Sequence, residues 1–313
     1  MNIPPPAKWG VLLMAYGAVD SLDDLKDYLT DIRGGREPSP ELVAEIRERY
    51  LMMGGKSPLL DITRSQASAL EFRLSQALGE PCPVFIGMRH WRPTIGAAVE
   101  EIHRRGIDEV VGLCLTPYES RLSVGAYFQK LEEAKKSAGA PLRTWTIASW
   151  NKHPKLISAF AQNLQKALGR FAAPERPEVH VLFTAHSLPE RILKEGDPYP
   201  RQLEETVRRV VDAAKIESWS FAYQSRGRTP EPWLGPDAAD SIETLARKGV
   251  KKILVAPIGF ISDHMETLYD DDILYRARAE ALGMRMERAP SLNDAPLLIE
   301  AMVETILGRK VVE

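Results

Sequence analysis

Seven short apolar runs, separated by longer amphipathic stretches, constrain the fold of this chain more than any other feature. The runs are VLLMAYG (11–17), PVFIGM (83–88), VVGLCLTP (110–117), TWTIASW (144–150), VHVLFTAH (179–186), SFAYQS (220–225) and ILVAPIGF (253–260). Runs that are apolar at nearly every position are typical of parallel strands buried on both faces. Because the stretches between them have helical periodicity, the sequence predicts an α/β protein with right-handed crossovers.

The length of the chain and the spacing of the runs predict more than one folding unit. The 313 residues exceed a single average domain, and three runs precede residue 118 while four follow it. We therefore expect two doubly wound sheets that face a shared cleft. The first domain is predicted to contain residues 8–117 and a C-terminal helix at about 295–313, and the second to contain residues 118–294.

Composition excludes several classes of function. The formal net charge is −2, so no global basic field would draw the chain onto nucleic acid or anionic lipid. No apolar run approaches the roughly 20 residues needed to cross a bilayer, and the first residues lack the pattern of a signal peptide. We expect a cytoplasmic protein with no membrane insertion. Cys82 and Cys114 stand far apart in apolar surroundings, which predicts two buried, reduced thiols.

Polar residues recur where the predicted strands end. In open α/β sheets, ligands bind outside the carboxyl ends of the strands. The residues at these positions are Tyr16 after the first predicted strand, Tyr118 to Ser120 after the third, His186 after the fifth, Gln224 to Arg226 after the sixth and Ser262 to Glu266 after the seventh. Their recurrence predicts a functional site at these ends.

His186 and Glu266 form the most informative pair among these residues. His186 leads into the rigid Ser187–Leu188–Pro189 turn, and an imidazole with a pKa of about 6.5 accepts protons or binds metal near neutrality. Glu266 and Asp270 would share one face of a helix and could hold a hydrated cation or relay protons. The alternatives are a structural histidine and, most of all for Asp271 and Asp272, a solvated acidic helix start.

The region from Arg33 to Ser57 suits anion binding. It holds Arg33, Arg49, Tyr50 and Ser57 around two Gly-Gly pairs. Arginine forks and the free N–H groups of a helix that begins near Ser57 would both recognise carboxylate or phosphate. The alternative is an exposed, charged amphipathic helix.

Three long motifs, in this order, resemble the signature blocks of the ferrochelatase family. They are FTAHSLPE followed by GDPYP, then QSRGRTPEPWLGPD, then PIGFISDHMETLYD, and the resemblance runs from about residue 10 to 305. The N-terminal stretches AYGAVDSLDDLKDYLTDIRGGR and RYLMMGGKSPLL resemble the branch of Gram-positive and related bacteria that uses coproporphyrin III.

The resemblance implies two Rossmann-like domains with a porphyrin cleft between them. Fe²⁺ would be the substrate metal, and its insertion would release two protons and give a haem-type product. By the same resemblance His186 and Glu266 lie on one face of the macrocycle, Tyr16 lies on the other and is axial to the product iron, and Asp270 relays protons or cation. The residues implied to hold propionates are Arg33, Arg49, Tyr50, Ser57 and Tyr127.

Two departures from the family pattern limit this transfer. Leu274 stands where relatives carry a further acidic residue eight positions after the glutamate, which puts an outer metal site in doubt. Tyr118 follows Pro117 where His or Gln is common, so substrate contacts there can differ. Without C-terminal cysteines, no iron–sulfur cluster is expected.

Several functions compatible with these residues remain open. The first hypothesis is a coproporphyrin III ferrochelatase, expected to be a monomer that makes transient contacts with neighbouring haem-pathway enzymes. A protoporphyrin IX ferrochelatase is the close alternative. A non-catalytic tetrapyrrole carrier would not need Glu266, and a cobalt chelatase acting on an earlier tetrapyrrole would be expected to lack QSRGRTPEPWLGPD.

Overall fold

In the part of the chain that the structure describes, eight strands form two separate four-stranded sheets. The computed structural model describes residues 8–139 and 141–311, with residues 310 and 311 described by their backbone alone. The strands are β1 Trp9–Ala15, β2 Val84–Met88, β3 Glu109–Cys114, β4 Arg143–Ile147, β5 His180–His186, β6 Trp219–Gln224, β7 Lys252–Ala256 and β8 Arg285–Arg288. The order is β2-β1-β3-β4 in one sheet and β6-β5-β7-β8 in the other. Every adjacent pair is parallel, which confirms the predicted α/β class.

Helices cover the sheets and connect the strands. They are α1 Leu25–Ile32, α2 Pro40–Met52, α3 Leu59–Leu78, α4 Ile95–Arg104, α5 Val124–Ala138, α6 Pro154–Leu168, α7 Arg191–Lys194, α8 Tyr199–Ala214, α9 Ala238–Arg247, α10 Arg276–Ala281 and α11 Pro296–Val311. A π-helix at Glu266–Tyr275 leads directly into α10. None of the described helices is long and apolar enough to cross a membrane.

Local signals explain where the N-terminal helices begin and end. The Ser21 hydroxyl accepts a hydrogen bond from the Asp23 N–H and opens a short 3₁₀ turn, Leu22–Asp24, that runs into α1. Ser39 caps α2 in the same way, with Pro40 at its first position. Gly79 ends α3 in a left-handed conformation. The Tyr28 hydroxyl of α1 donates to the Gly17 carbonyl at 2.8 Å, which holds α1 beside the end of β1.

Each of the seven apolar runs overlaps a strand of the structure. The eighth strand, β8, was not predicted from the sequence. Its sequence, RMER, has alternating charges and only four residues. It lies at the edge of the second sheet and pairs with β7 alone. Because its hydrogen-bond partner lies about 30 residues away in the chain, local hydrophobicity carries little signal for it.

The predicted domain boundary after residue 117 is wrong, because β4 belongs to the first sheet. Its residues from Arg143 to Ile147 pair with those from Glu109 to Leu113 of β3. The chain passes to the second sheet between β4 and β5, through α6 and the 3₁₀ helix Ala173–Glu178. Within α6, Leu156 packs in the core of the first sheet and Leu164 in that of the second.

The C-terminal helix α11 covers the first sheet. Leu298 and Met302 are fully buried in the same core as Val11 and Leu70. This packing brings the end of the chain back onto its beginning. The two sheets then lie with the carboxyl ends of β1, β5 and β7 around a common cleft, whose lining includes Ala15, His186 and Gly259.

Candidate active site

A cleft of about 390 Å³ lies at the carboxyl ends of strands from both sheets. Its volume is within the range of small-molecule sites. The lining is largely apolar, and its polar members include Tyr16, Arg89, Tyr127, His186, His264 and Glu266. The cleft therefore combines a surface suited to a flat apolar ligand with a few groups able to handle metal and protons.

His186 and Glu266 meet on the wall formed by the second sheet. His186 is the last residue of β5 and Glu266 is the first residue of the π-helix. The His186 Nε2 lies 3.4 Å from Glu266 Oε1. On the other side of the ring, Nδ1 contacts the Ser187 carbonyl oxygen, to which it donates its hydrogen. In the neutral ring Nε2 is then free to accept a proton or bind a cation.

The backbone around His186 is held on both sides. The Tyr199 hydroxyl donates to the His186 carbonyl at 2.9 Å, and the Ser187 N–H donates to the Gln224 carbonyl at 2.8 Å. The Gln224 side-chain amide donates to the Glu266 carbonyl at 3.2 Å. One strand end thus orients both members of the pair.

Electrostatic coupling makes the pair an ion pair in the free protein. Burial opposes the charged form of His186, but the carboxylate of Glu266 outweighs it and raises the pKa of the imidazole above its usual value. Burial would raise the pKa of Glu266, but His186 and then His264 lower it strongly. Near neutral pH the structure therefore favours His186 protonated and Glu266 ionised.

Asp270 lies one turn beyond Glu266, but on a π-helix rather than the α-helix that the spacing predicts. Its Oδ2 accepts a 2.6 Å hydrogen bond from the Ser225 hydroxyl. Burial and the charge of Glu266 raise the pKa of Asp270, whereas Ser225 lowers it. A partly exposed carboxyl group, Glu266, and a buried one, Asp270, therefore follow one another from the cleft towards β6. Leu274 is half-exposed on the same helix.

Tyr16 faces the cleft from the first sheet. It follows the last residue of β1, is 42% exposed, and its ring lies 4.7 Å from that of His90. Although part of the ring is exposed, the hydroxyl group is desolvated by the residues around it. This desolvation and then the charge of Glu266 raise the pKa of Tyr16 to about 12, so the phenol is neutral in the free protein. Glu266, on the opposite wall, therefore lies close enough to Tyr16 for its charge to affect the pKa of the phenol.

The residues predicted to hold propionates have different positions. Tyr127 lines the cleft, whereas Arg33 is exposed at the end of α1, where its Nε donates to the Arg36 carbonyl. Arg49 is bound to Glu45 at 2.7 Å and lies over the ring of Tyr269. The propionate contacts remain predictions for all of them.

Tyr50 and Ser57 are both buried. The ring of Tyr50 packs among residues of α1 and α2, and it is not among the residues that line the cleft. The Ser57 hydroxyl accepts from the Leu59 N–H at the start of α3. Substrate contact by either residue therefore stays a prediction.

Two polar residues of the cleft were not singled out from the sequence. His264 Nε2 lies 3.6 Å from Glu266 Oε2, so Glu266 stands between two imidazoles. Arg89 follows β2 directly and lines the opposite wall. The position of Arg89, directly after β2, is the same strand-end signal that predicts Tyr16 and His186.

Comparison with known proteins identifies the architecture. A family model described as ferrochelatase matches residues 8–310. The chain belongs to the ferrochelatase family. A ferrochelatase of Deinococcus radiodurans is 42% identical over 306 residues, covering 97% of this chain and 96% of that relative. A coproporphyrin III ferrochelatase of Geobacillus kaustophilus is 39% identical over 302 residues, covering 96% and 95%. Ferrochelatases use ferrous iron as the substrate metal.

Solved structures support the chelatase fold of this ferrochelatase. SirB from Bacillus subtilis, solved with Fe³⁺, has a TM-score of 0.57 and covers 97% of each chain. Its sequence identity is 11%, so the likeness concerns the fold alone. Because the named relatives carry both descriptions, they leave open which porphyrin this ferrochelatase metallates.

Proposed function

We propose that this protein inserts Fe²⁺ into coproporphyrin III to give iron-coproporphyrin. The observation that carries the proposal is the His186–Glu266 pair, with Nε2 and Oε1 3.4 Å apart, facing Tyr16 across an apolar cleft. Support for the four-carboxylate substrate comes from the arginines of the N-terminal region and from relatives named coproporphyrin III ferrochelatases at 37–39% identity.

His186 and Glu266 would remove protons from the bound macrocycle. Insertion of Fe²⁺ breaks two pyrrole N–H bonds, forms four Fe–N bonds and releases two protons. Because the free protein favours protonated His186, that proton would first pass to Glu266 and on towards Asp270. The neutral Nε2 would then accept a pyrrole proton on the face opposite Tyr16, and a second round of the same transfer would remove the second proton. Asp270 and Ser225, joined by a 2.6 Å hydrogen bond, would carry protons or cation away from Glu266.

Binding energy from the propionates would be used to bend the ring. A planar porphyrin shields its nitrogens, so a cleft that holds the periphery can drive the distortion needed for metal entry. Tyr16, at the other face, would contact the iron after insertion. In this scheme Arg33, Arg49, Tyr50, Ser57 and Tyr127 hold carboxylates.

The substrate assignment is tested by anaerobic turnover of Fe²⁺ with coproporphyrin III and with protoporphyrin IX, followed by absorbance. We expect a higher kcat/KM for coproporphyrin III. Equal or better activity on protoporphyrin IX would contradict the assignment.

The assigned pair is tested in the same assay with His186→Ala. We expect loss of metallation with porphyrin binding nearly intact, because Nε2 acts on the ring centre and not on its periphery. His180→Ala is the matched control, since His180 lies at the other end of β5 and bonds to Ser218 and Ser220. Porphyrin binding without metallation by the unaltered protein would favour a carrier.

A further inference from the structure

Arg89 stands at the base of the cleft wall that carries Tyr16. It follows Met88, the last residue of β2, and its N–H donates to the Ala15 carbonyl at 2.8 Å. The end of β2 is thereby fixed to the end of β1. Among the residues described as lining the cleft, Arg89 is the only arginine or lysine. An anionic group of a ligand bound in this part of the cleft would therefore lie near the Arg89 guanidinium.

The charge of Arg89 has little compensation from the protein. One guanidinium N–H reaches the Leu122 carbonyl at 3.4 Å, and the group lies over the ring of Tyr127 with its carbon 5.6 Å from the centroid. No carboxylate of the described chain lies within ion-pair distance of it. Arg49 differs, because Glu45 already occupies it. A guanidinium has five N–H donors, so most of those of Arg89 remain available to a ligand.

The neighbouring loop adds a second polar group. Ser123 lines the cleft next to Leu122, and its hydroxyl makes no capping hydrogen bond to α5. Arg89 and Ser123 are both half-buried, which shields an ion pair formed there more than one at the surface. An arginine fork beside a hydroxyl suits a carboxylate.

A free divalent cation is a poor occupant of this wall, whereas the iron that Tyr16 would contact after insertion is already held by the macrocycle. A fixed positive charge repels a divalent cation, and nearby Tyr16 is a neutral phenol whose pKa Arg89 lowers only in part against burial. The carboxyl groups that attract a cation, Glu266 and Asp270, lie on the opposite wall. Charge therefore divides the cleft into a side for metal and protons and a side for an anion.

We propose that Arg89, with Ser123, is a carboxylate subsite that binds one propionate of the porphyrin on the Tyr16 side of the cleft. The inference rests on the proposed function and extends it, because none of the predicted propionate residues supplies a cation to this wall. A substrate with more carboxylates around its periphery would gain from the subsite.

The test is the dissociation constant of metal-free coproporphyrin III and of its tetramethyl ester, measured by porphyrin fluorescence in the same non-ionic detergent. Arg89→Met should weaken binding of the tetra-acid by about tenfold, the scale of one hydrogen-bonded charge pair, and change binding of the ester by less than about twofold. Arg89→Lys should lie between, since it keeps the charge and loses the fork. Arg92→Met is the matched control, because Arg92 is exposed, lies over the ring of Trp91 and does not line the cleft.

Equal weakening of the acid and the ester would mean that Arg89 acts through packing, and would overturn the proposal. Unchanged binding of the acid in Arg89→Met would overturn it as well. Thermal melting of each variant identifies any loss of fold, and in that case Arg89→Lys carries the test. Failure of the proposed function is distinguishable, because it would appear in the unaltered protein, as metallation of protoporphyrin IX equal to or better than that of coproporphyrin III or as metallation of neither. The subsite is tested instead by the binding of metal-free acid and ester to the variants.

Discussion

Asp271 and Asp272 are adjacent residues with opposite surroundings. Asp271 is fully buried, and among the described residues neither of its carboxyl oxygens has a partner at normal hydrogen-bond geometry. Asp272 receives two hydrogen bonds from Arg288, at 2.9 and 2.8 Å. The alternative of a solvated acidic helix start is therefore wrong for Asp271, whereas Asp272 is 30% exposed and paired with Arg288. Burial raises the pKa of Asp271 well above its usual value.

Asp271→Asn should stabilise the protein at neutral pH by roughly 1–3 kcal/mol, since it removes an unpaired buried acid. The pKa of Asp271 is higher in the folded protein than in the unfolded chain, where it is about 3.9. Its contribution to stability is therefore fully present below pH 3.9 and is lost progressively as pH rises from there to the folded pKa. The gain from Asn should therefore shrink as pH falls towards 4. Urea unfolding at several pH values measures it.

Asp272→Asn is the matched control at the next position. It removes the charge that pairs with Arg288, so it should lower stability at neutral pH. Equal effects of the two substitutions on stability would contradict the difference between an unpaired buried carboxyl group at Asp271 and a paired one at Asp272.

At the scale of elements, the loop between β7 and the π-helix passes very close to β5. The Gly259 N–H donates to the Thr184 carbonyl at 3.0 Å. A Cβ at Gly259 would lie 2.6 Å from the Ala185 Cα, and that backbone has no flexible end to move. This glycine lets the loop that carries His264 and Glu266 approach the strand that carries His186.

Gly259→Ala should destabilise the fold by roughly 1–3 kcal/mol through overpacking, and should lower the metallation rate because β5 and its loop are pushed apart. Gly308→Ala in α11 is the control. A Cβ there meets nothing within 4 Å, and the helix should gain up to about 1 kcal/mol. Thermal unfolding measures the change in stability, and the rate of iron insertion measures the change in activity. A Gly259→Ala protein with unchanged stability and rate would contradict the prediction, because the loop would then relax freely.

At the scale of the whole molecule, an ion pair joins the two halves beside the cleft. Arg228, in the loop after β6, forms a two-pronged contact with Glu45 of α2, and Glu45 also holds Arg49. The Arg228 side chain is 63% exposed and that of Glu45 39% exposed. Exposed pairs add at most about 1 kcal/mol to stability, so the contact matters more for the relative position of the halves.

Arg228→Ala should leave the melting temperature nearly unchanged but speed release of bound porphyrin several-fold, since α2 and the loop then separate more easily. The difference should vanish in about 1 M salt, where the screening length is about 3 Å. Stopped-flow fluorescence measures the rate. Arg208→Ala, which breaks an exposed pair with Glu204 within α8, should have no effect on it. Faster release at all salt concentrations would point to loop packing instead.

Much of the fold is predictable from local pattern. A strand buried on both faces must be apolar along its length, so the seven runs appear in the sequence before any contact is known. Parallel strands align their carboxyl ends at one edge of a sheet, and this brings the ends of β5 and β7, with His186 and Glu266, to one side of the cleft. The packing of the two sheets then adds Tyr16 from the end of β1. The motifs around His186 and Glu266 were also enough to indicate the family.

Other features depended on contacts between distant segments. The membership of β4 in the first sheet and the existence of β8 are decided by backbone pairing with β3 and β7, which a local run does not encode. The burial of Asp271 and the lack of a carboxylate beside Arg89 depend on which elements pack over them. The sequence by itself determined the strands, the strand-end residues and the family, because these follow from local periodicity and motif. Only the tertiary structure decided the pairing of the strands and the charge balance of the cleft, because hydrogen-bond partners and burial arise between residues far apart in the chain.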